Sequence, residues 1–231
     1  MKRLAAALGI LLALLVIGAA SLRVDAPLTA VLPAAPSAPV TTAPPATTPP
    51  VLSALEIKGR APMTGYAREN FGQAWSDDVR VDGGRNGCDT RNDILRRDLI
   101  DPVIRPGTHG CLVESGLLPD PYSGERIEFV RGNDRVHIDH VVPLADAWAK
   151  GAQSWDDETR RDFANDPRNL QATAADLNRQ KGAGDAATWQ PPNKDHRCAY
   201  ARQQIEVKAA YGLWITPAEH TALARELDRC H

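Results

Sequence analysis

The chain has 231 residues, 43% of them hydrophobic, with a formal net charge of −2 and four cysteines. That length bounds it to one or two domains. The near-neutral charge argues against a protein that holds nucleic acid mainly through a global basic field, while leaving room for a local basic groove.

Met1, Lys2 and Arg3 precede an apolar run from Leu4 to Ala20 that closes on small residues. This is the layout of a secretory signal peptide, with cleavage expected near Ala20. The run is also close to the ~20 residues of a spanning helix, so an uncleaved N-terminal anchor is the alternative reading of residues 1–20. Residues 21–53 are a Pro/Ala/Thr-rich stretch, "PAAPSAPVTTAPPATTPP" at its centre. Such a composition cannot build a core and reads as an extended, semi-rigid linker. One folded domain remains, residues 54–231, large enough for a single core. It is expected to be a monomer, secreted or tethered outside the membrane.

In an oxidising compartment, four cysteines suggest two disulfides. "CDTRNDILRRDL" reads as a helix capped by Asp89 or Thr90, with Ile94, Leu95 and Leu99 on its apolar face. The chain then turns at Asp101-Pro102 and Pro106-Gly107 and returns, which pairs Cys88 with Cys111. "CAYARQQIEVKAAYG" is a helix stopped by Gly212. "TPAEHTALARELDRC" opens with a capping box, Thr216 at the cap, Pro217 next and Glu219 third. Antiparallel packing of these two helices brings Cys198 to Cys230. A structural zinc site is the alternative, disfavoured because no C-x-x-C spacing occurs.

Between these flanks, "RIEFVRG" and "DRVHIDHVV" read as a hairpin turning at Gly132-Asn133-Asp134. Strict alternation places His137 and Asp139 on one face and His140 on the other. The strand must therefore end or distort at Asp139-His140 for both to serve one site, and Pro143 favours an early end. A long connection carrying its own helix follows, near "LADAWAKG" or "DDETRRDFAN". Next come a short strand at "DPRNLQAT" and a short helix at "AADLNRQKG", capped by Thr173 and ended by Gly182. Asn178 and Lys181, three residues apart, share a face of that helix. The five tryptophans, Trp75 among them, read as core.

The order "IDHVVP", "NLQA", "LNRQKG" resembles the HNH endonucleases, whose site is a ββα-metal unit. Further blocks, "GYAR", "FGQAW", "CDTRNDILRRDL", "DPYSGERIEF", "NRQKGAGDAATWQPPN" and "RCAYARQQIEVKAAYGLWIT", resemble a secreted subgroup related to the C-terminal domain of GmrSD-type restriction endonucleases. The resemblance implies an α+β fold: a ββα-metal (HNH) core packed with several helices and stapled by two disulfides. It implies a metal-dependent endonuclease that hydrolyses DNA phosphodiester bonds and leaves a 5′-phosphate. Matched residue by residue, His140 is the general base and Asn169 braces and orients it. Asp139 and Asn178 are metal ligands, with His137 a third ligand, an outer group or a phosphate contact. Asparagine as the last motif residue shifts the expected ion from zinc to Mg²⁺ or Mn²⁺, which prefer oxygen donors. Lys181, Arg179 and Arg91 are candidate contacts to the DNA phosphate backbone. A hydrolase of another phosphoester and a non-catalytic cell-surface binding module are the rival readings.

Mass spectrometry of the mature N-terminus tests export. A chain beginning just after Ala20 and recovered outside the cell is expected, and an intact Met1 in the membrane fraction identifies the anchor. A full-length chain confined to the cytosol overturns both.

Overall fold

The computed structural model describes residues 52–230. The expected leader, residues 1–20, and nearly all of the linker, residues 21–53, lie outside the described residues. Among the described residues no helix is long and apolar enough to cross a membrane.

Helix α1, Thr90–Asp98, starts where Asp89 accepts a hydrogen bond from the Asn92 amide, satisfying one of the free N–H groups of the first turn. It buries Ile94 and Leu95 against two small antiparallel sheets. The first sheet orders β1 (Ile100–Ile104), β2 (Val113–Pro119) and β3 (Arg126–Val130) side by side. The second pairs β4 (Val136–His140) with β5 (Leu170–Ala174), Asp139 lying opposite Gln171 and His140 opposite Leu170. Between β4 and β5 run α2 (Leu144–Trp148) and α3 (Asp157–Asn165), so both stretches proposed for the connecting helix are helical. Helix α4, Ala175–Lys181, follows β5 directly and packs on both strands of its sheet. Helices α5 (Arg197–Ala210) and α6 (Pro217–Leu227) close the chain.

Three expectations from the sequence are corrected. The hairpin of residues 126–140 does not form, because β3 pairs with β2 and β4 with β5. The partner β2 carries Ser115 and Gly116 at its centre, which weakens its strand signal. Asp101-Pro102 is not a turn: it lies inside β1, an edge strand with irregular register, where a proline's missing N–H costs no ladder bond. Thr173 does not cap α4. It belongs to β5, and its hydroxyl donates to the Asp120 carboxylate at 2.6 Å.

Both expected disulfides are present, Cys88–Cys111 and Cys198–Cys230, with Cα atoms 5.1 and 5.5 Å apart. Thr216 caps α6 by accepting from the Glu219 amide, but the return half of the capping box is replaced. The Glu219 carboxylate is fully buried and pairs with Lys150 at 2.6 Å and Lys208 at 2.7 Å. Both lysines also grip Asp146, at 2.7 and 2.9 Å, and Lys150 holds Asp185 at 2.8 Å. This network, with no solvent at its lysines, locks α2 to α5 and α6.

Its electrostatics give a pH window. Burial pushes the Asp146 carboxyl up, but Lys208 and Lys150 outweigh burial and hold it below the usual carboxylate range. Asp185 is lowered in the same way, its burial outweighed by Lys150. These two contribute stability above about pH 4 that is lost as the pH falls through their folded values. Lys208 is disfavoured by burial yet raised by Asp146 and Glu219, so its contribution is full below about pH 10 and lost above. Thermal unfolding against pH is expected to show a plateau between these limits and a steep acid fall. Lys150→Met, which strands buried carboxylates, is expected to cost about 3–5 kcal/mol at neutral pH. An unchanged melting temperature for Lys150→Met would contradict the assignment.

Candidate active site

Strand β4 ends at His140, and the geometry of that end brings adjacent residues to one cleft. Val141 N donates to the Asn169 carbonyl, and Val142 N donates to Asn169 Oδ1 at 2.8 Å, while Asn169 Nδ2 donates back to the Val142 carbonyl at 3.2 Å. Asn169 is fully buried and does not line the cleft. Its side chain acts as a backbone surrogate that turns the chain out of the sheet after His140.

The cleft, of about 360 Å³, is lined by Asp139, His140, Asn178, Arg179 and Arg68, with Tyr66, Leu144 and Gly182 among the rest. Asp139 is only 4% exposed. Its Oδ2 accepts from the Tyr122 hydroxyl at 2.6 Å, and Lys181 Nζ lies 3.0 Å from Oδ1 and 2.9 Å from Oδ2. Lys181 Nζ also donates to the His140 carbonyl at 2.7 Å. Burial depresses the Lys181 pKa and Asp139 opposes that shift, while burial and then Asp139 push the Tyr122 phenol well above its usual range.

His140 presents Nε2 to the Ala164 carbonyl at 2.8 Å. A carbonyl only accepts, so Nε2 carries the proton and Nδ1 is the free basic nitrogen. Burial first, then Arg68 and Lys181, hold the imidazole down at about 3, against the opposing bond to Ala164. The ring is therefore neutral at physiological pH. Its face stacks on Trp75 with centroids 6.0 Å apart and planes 13° from parallel.

The remaining expected residues divide. Asn178 Nδ2 meets His137 Nδ1 at 3.4 Å, and His137 Nε2 meets Asp134 Oδ1 at 2.7 Å. His137 thus has both nitrogens engaged and is not part of the cleft wall, which leaves the Asn178 carbonyl oxygen as the donor on that side. Arg179 lines the cleft and pairs with Asp134 at 2.8 Å. Lys181 does not reach out toward a phosphate, because its ammonium is fully buried against Asp139. Arg91 is also away from the cleft: it lies over the Phe129 ring at 5.9 Å, its pKa lowered by burial and by Arg131. Sequence reasoning assigned no role to Arg68, although it falls in the quoted block "GYAR". It is exposed, lines the cleft and has no ion pair among the described residues.

The donor set can be tested against a divalent ion. An ionised carboxylate offers about four lone-pair sites, and Tyr122 and Lys181 occupy three of those on Asp139, leaving one. Asn178 adds a second oxygen. Among the described residues no three His, Cys, Asp or Glu side chains cluster as metal ligands. Two protein oxygens completed by water and phosphate is how Mg²⁺ is commonly held, so the residues fit a hard ion of that kind.

The family model for the C-terminal domain of GmrSD restriction endonucleases matches residues 89–226. An "Uncharacterized secreted protein" of Arthroderma benhamiae is 37% identical over 182 residues, 78% of this chain and 83% of that one. No solved structure shows significant similarity to the chain. The matched span runs from α1 into the last turn of α6 and takes in Asp139, His140, Asn178 and Arg179, while Tyr66 and Arg68 of the cleft precede it, and the chain belongs to the family of the GmrSD restriction endonuclease C-terminal domain.

Proposed function

We propose that this protein is a metal-dependent endonuclease of the HNH type that acts outside the cytoplasm on DNA. The observation that carries the reading is the His140 imidazole, neutral, with Nε2 committed to the Ala164 carbonyl, in a residue that lines one cleft with Asp139 and Asn178. The antiparallel β4–β5 pair followed by α4 supports a ββα-metal unit. Nuclease activity is supported by the family match. Export is supported by the two disulfides and by the secreted relative. The domain boundary proposed is residues 54–231, behind a leader at 1–20 and a linker at 21–53.

In this mechanism His140 Nδ1 takes the proton from an attacking water. The water oxygen bonds to phosphorus as the P–O3′ bond breaks, and the departing O3′ takes a proton from solvent, leaving a 5′-phosphate and a 3′-hydroxyl. Arg68 and Arg179 neutralise the phosphate oxygens. Asp139 and Asn178 would hold Mg²⁺ or Mn²⁺, which supplies Lewis-acid stabilisation of the phosphate and the leaving oxygen. Asn169 positions His140 through Val141 and Val142, and Lys181 positions Asp139. His137 is assigned to an outer position, orienting Asn178.

Cleavage of plasmid DNA with and without Mn²⁺, beside calorimetric metal affinity, tests the reading. His140→Ala is expected to lose about 10²–10⁴ in rate while keeping metal affinity. Asp139→Asn keeps an acceptor for the buried Lys181 and is expected to weaken both metal binding and cleavage, as is Asn178→Ala. His137→Ala is expected to cleave slowly with only a modest loss of affinity. Wild-type cleavage by a folded His140→Ala protein would exclude the mechanism.

A further inference from the structure

A second cleft, of about 200 Å³, adjoins the first and shares Arg68, His140 and Leu144 with it. Phe71, Trp75, Leu144 and Ala164 give it apolar walls, and Asn165 and Gln73 bring polar groups to it. Its position is set by the same bond that sets His140: Ala164, which accepts from Nε2, immediately precedes Asn165 at the end of α3.

Two features of this cleft are unexplained by the proposed hydrolysis. Asn165 is 1% exposed, yet its Oδ1 has no hydrogen-bond partner among the described residues. Its orientation is fixed, because Nδ2 donates to the Arg161 carbonyl at 2.9 Å, so Oδ1 is a spare acceptor on a residue that lines the cleft. A buried acceptor without a donor costs free energy and calls for an occupant that supplies one. The second feature is Trp75, which adopts a left-handed backbone with φ 58°. A bulky residue rarely takes that conformation, and here it lays the indole along His140 at the cleft wall.

An apolar slot with an aromatic wall and one buried acceptor matches the chemistry of a nucleobase, which is flat, apolar on its faces and edged with N–H donors. A slot of this volume has room for one ring system. Stacking in a slot is the recognition mode of unpaired strands.

We propose that this second cleft is a nucleobase subsite that takes one unpaired base of single-stranded DNA beside the scissile phosphate, with Asn165 Oδ1 accepting from an N–H of the base. The assignment rests on the nuclease reading for its position and makes single-stranded or locally unpaired DNA the preferred substrate. Trp75, expected from the sequence to be core, then packs against the core and also forms a wall of this subsite.

The test uses the full disulfide-bonded chain and three DNA probes of one sequence: a single strand, its duplex, and single strands in which each position in turn is abasic. Cleavage with Mn²⁺ and binding by fluorescence anisotropy without metal are both read. The single strand is expected to be cut and bound at least about tenfold better than the duplex. One abasic position next to a cut bond is expected to lower cutting there about tenfold, the scale of one base contact. In Asn165→Leu that abasic penalty is expected to shrink below about twofold. Ala74→Phe adds bulk at an exposed residue lining the slot and is expected to weaken single-strand binding without lowering the melting temperature, a control should Asn165→Leu fold poorly. Equal handling of duplex, intact and abasic strands, with cleavage present, overturns the subsite and leaves the nuclease standing. Base-dependent binding without cleavage sinks the nuclease and keeps the subsite, and neither binding nor cleavage removes both.

Discussion

The Lys181 ammonium joins the last turn of α4 to the last residues of β4, reaching both the Asp139 carboxylate and the His140 carbonyl with no solvent around it. A buried cation is tolerated only when paired and fully hydrogen-bonded, and here the partners are the two residues on which the proposed chemistry depends. The constraint works in both directions. Asp139 is oriented by Lys181, with the Tyr122 hydroxyl fixing its second oxygen, and the backbone at His140 cannot shift without breaking a bond to the buried ammonium. Asn169 acts from the other side by tying off Val141 and Val142. Between them these contacts resolve the difficulty posed by strand alternation: the strand stops at His140, and neighbouring residues face one cleft.

The rest of the fold keeps that junction still. The outer edge of β5 is not left open. Asp98 accepts from the Ala172 amide, and Arg97 donates to the Leu170 and Pro167 carbonyls, so α1 covers an edge that would otherwise invite pairing. Asp120, in the turn between β2 and β3, accepts from Thr173 and from the Ala174 amide and so anchors the far end of the same strand. On the opposite side, the buried network of Lys150, Lys208, Asp146 and Glu219 fixes α2, which follows the cleft directly. A site assembled from strand ends and a short helix is rigid here because each element has a charged tether to a neighbour.

Sequence legibility followed the range of the interactions. The cap at Asp89, the Thr216-Pro217 start and the Gly212 stop are local signals, and α1, α5, α6 and both disulfides could be read from them. The strand partners could not be. Pairing is non-local, and β4 finds β5 only after two intervening helices, while the more obvious partner β3 is taken by β2. Asp139, His140 and Asn178 were visible through their order and spacing. Lys181 was visible as a residue on the same helical face as Asn178, but whether its charge reaches solvent or a buried carboxylate is decided by tertiary packing. Arg68 stood in the matching block "GYAR" without a role of its own, and the second cleft and the Asn165 oxygen gave no sequence signal, because segments far apart in the chain meet only after folding.

The proposed hydrolysis depends most directly on the protonation of one ring: His140 must be neutral, with its proton on Nε2 and its lone pair on Nδ1. Nitrogen-15 chemical shifts of the imidazole in the selectively labelled protein at neutral pH measure this without any substrate. A protonated Nε2 and an unprotonated Nδ1 are expected. A proton on Nδ1, or an imidazolium at pH 7, would contradict it, because the ring would then have no base to offer at the cleft.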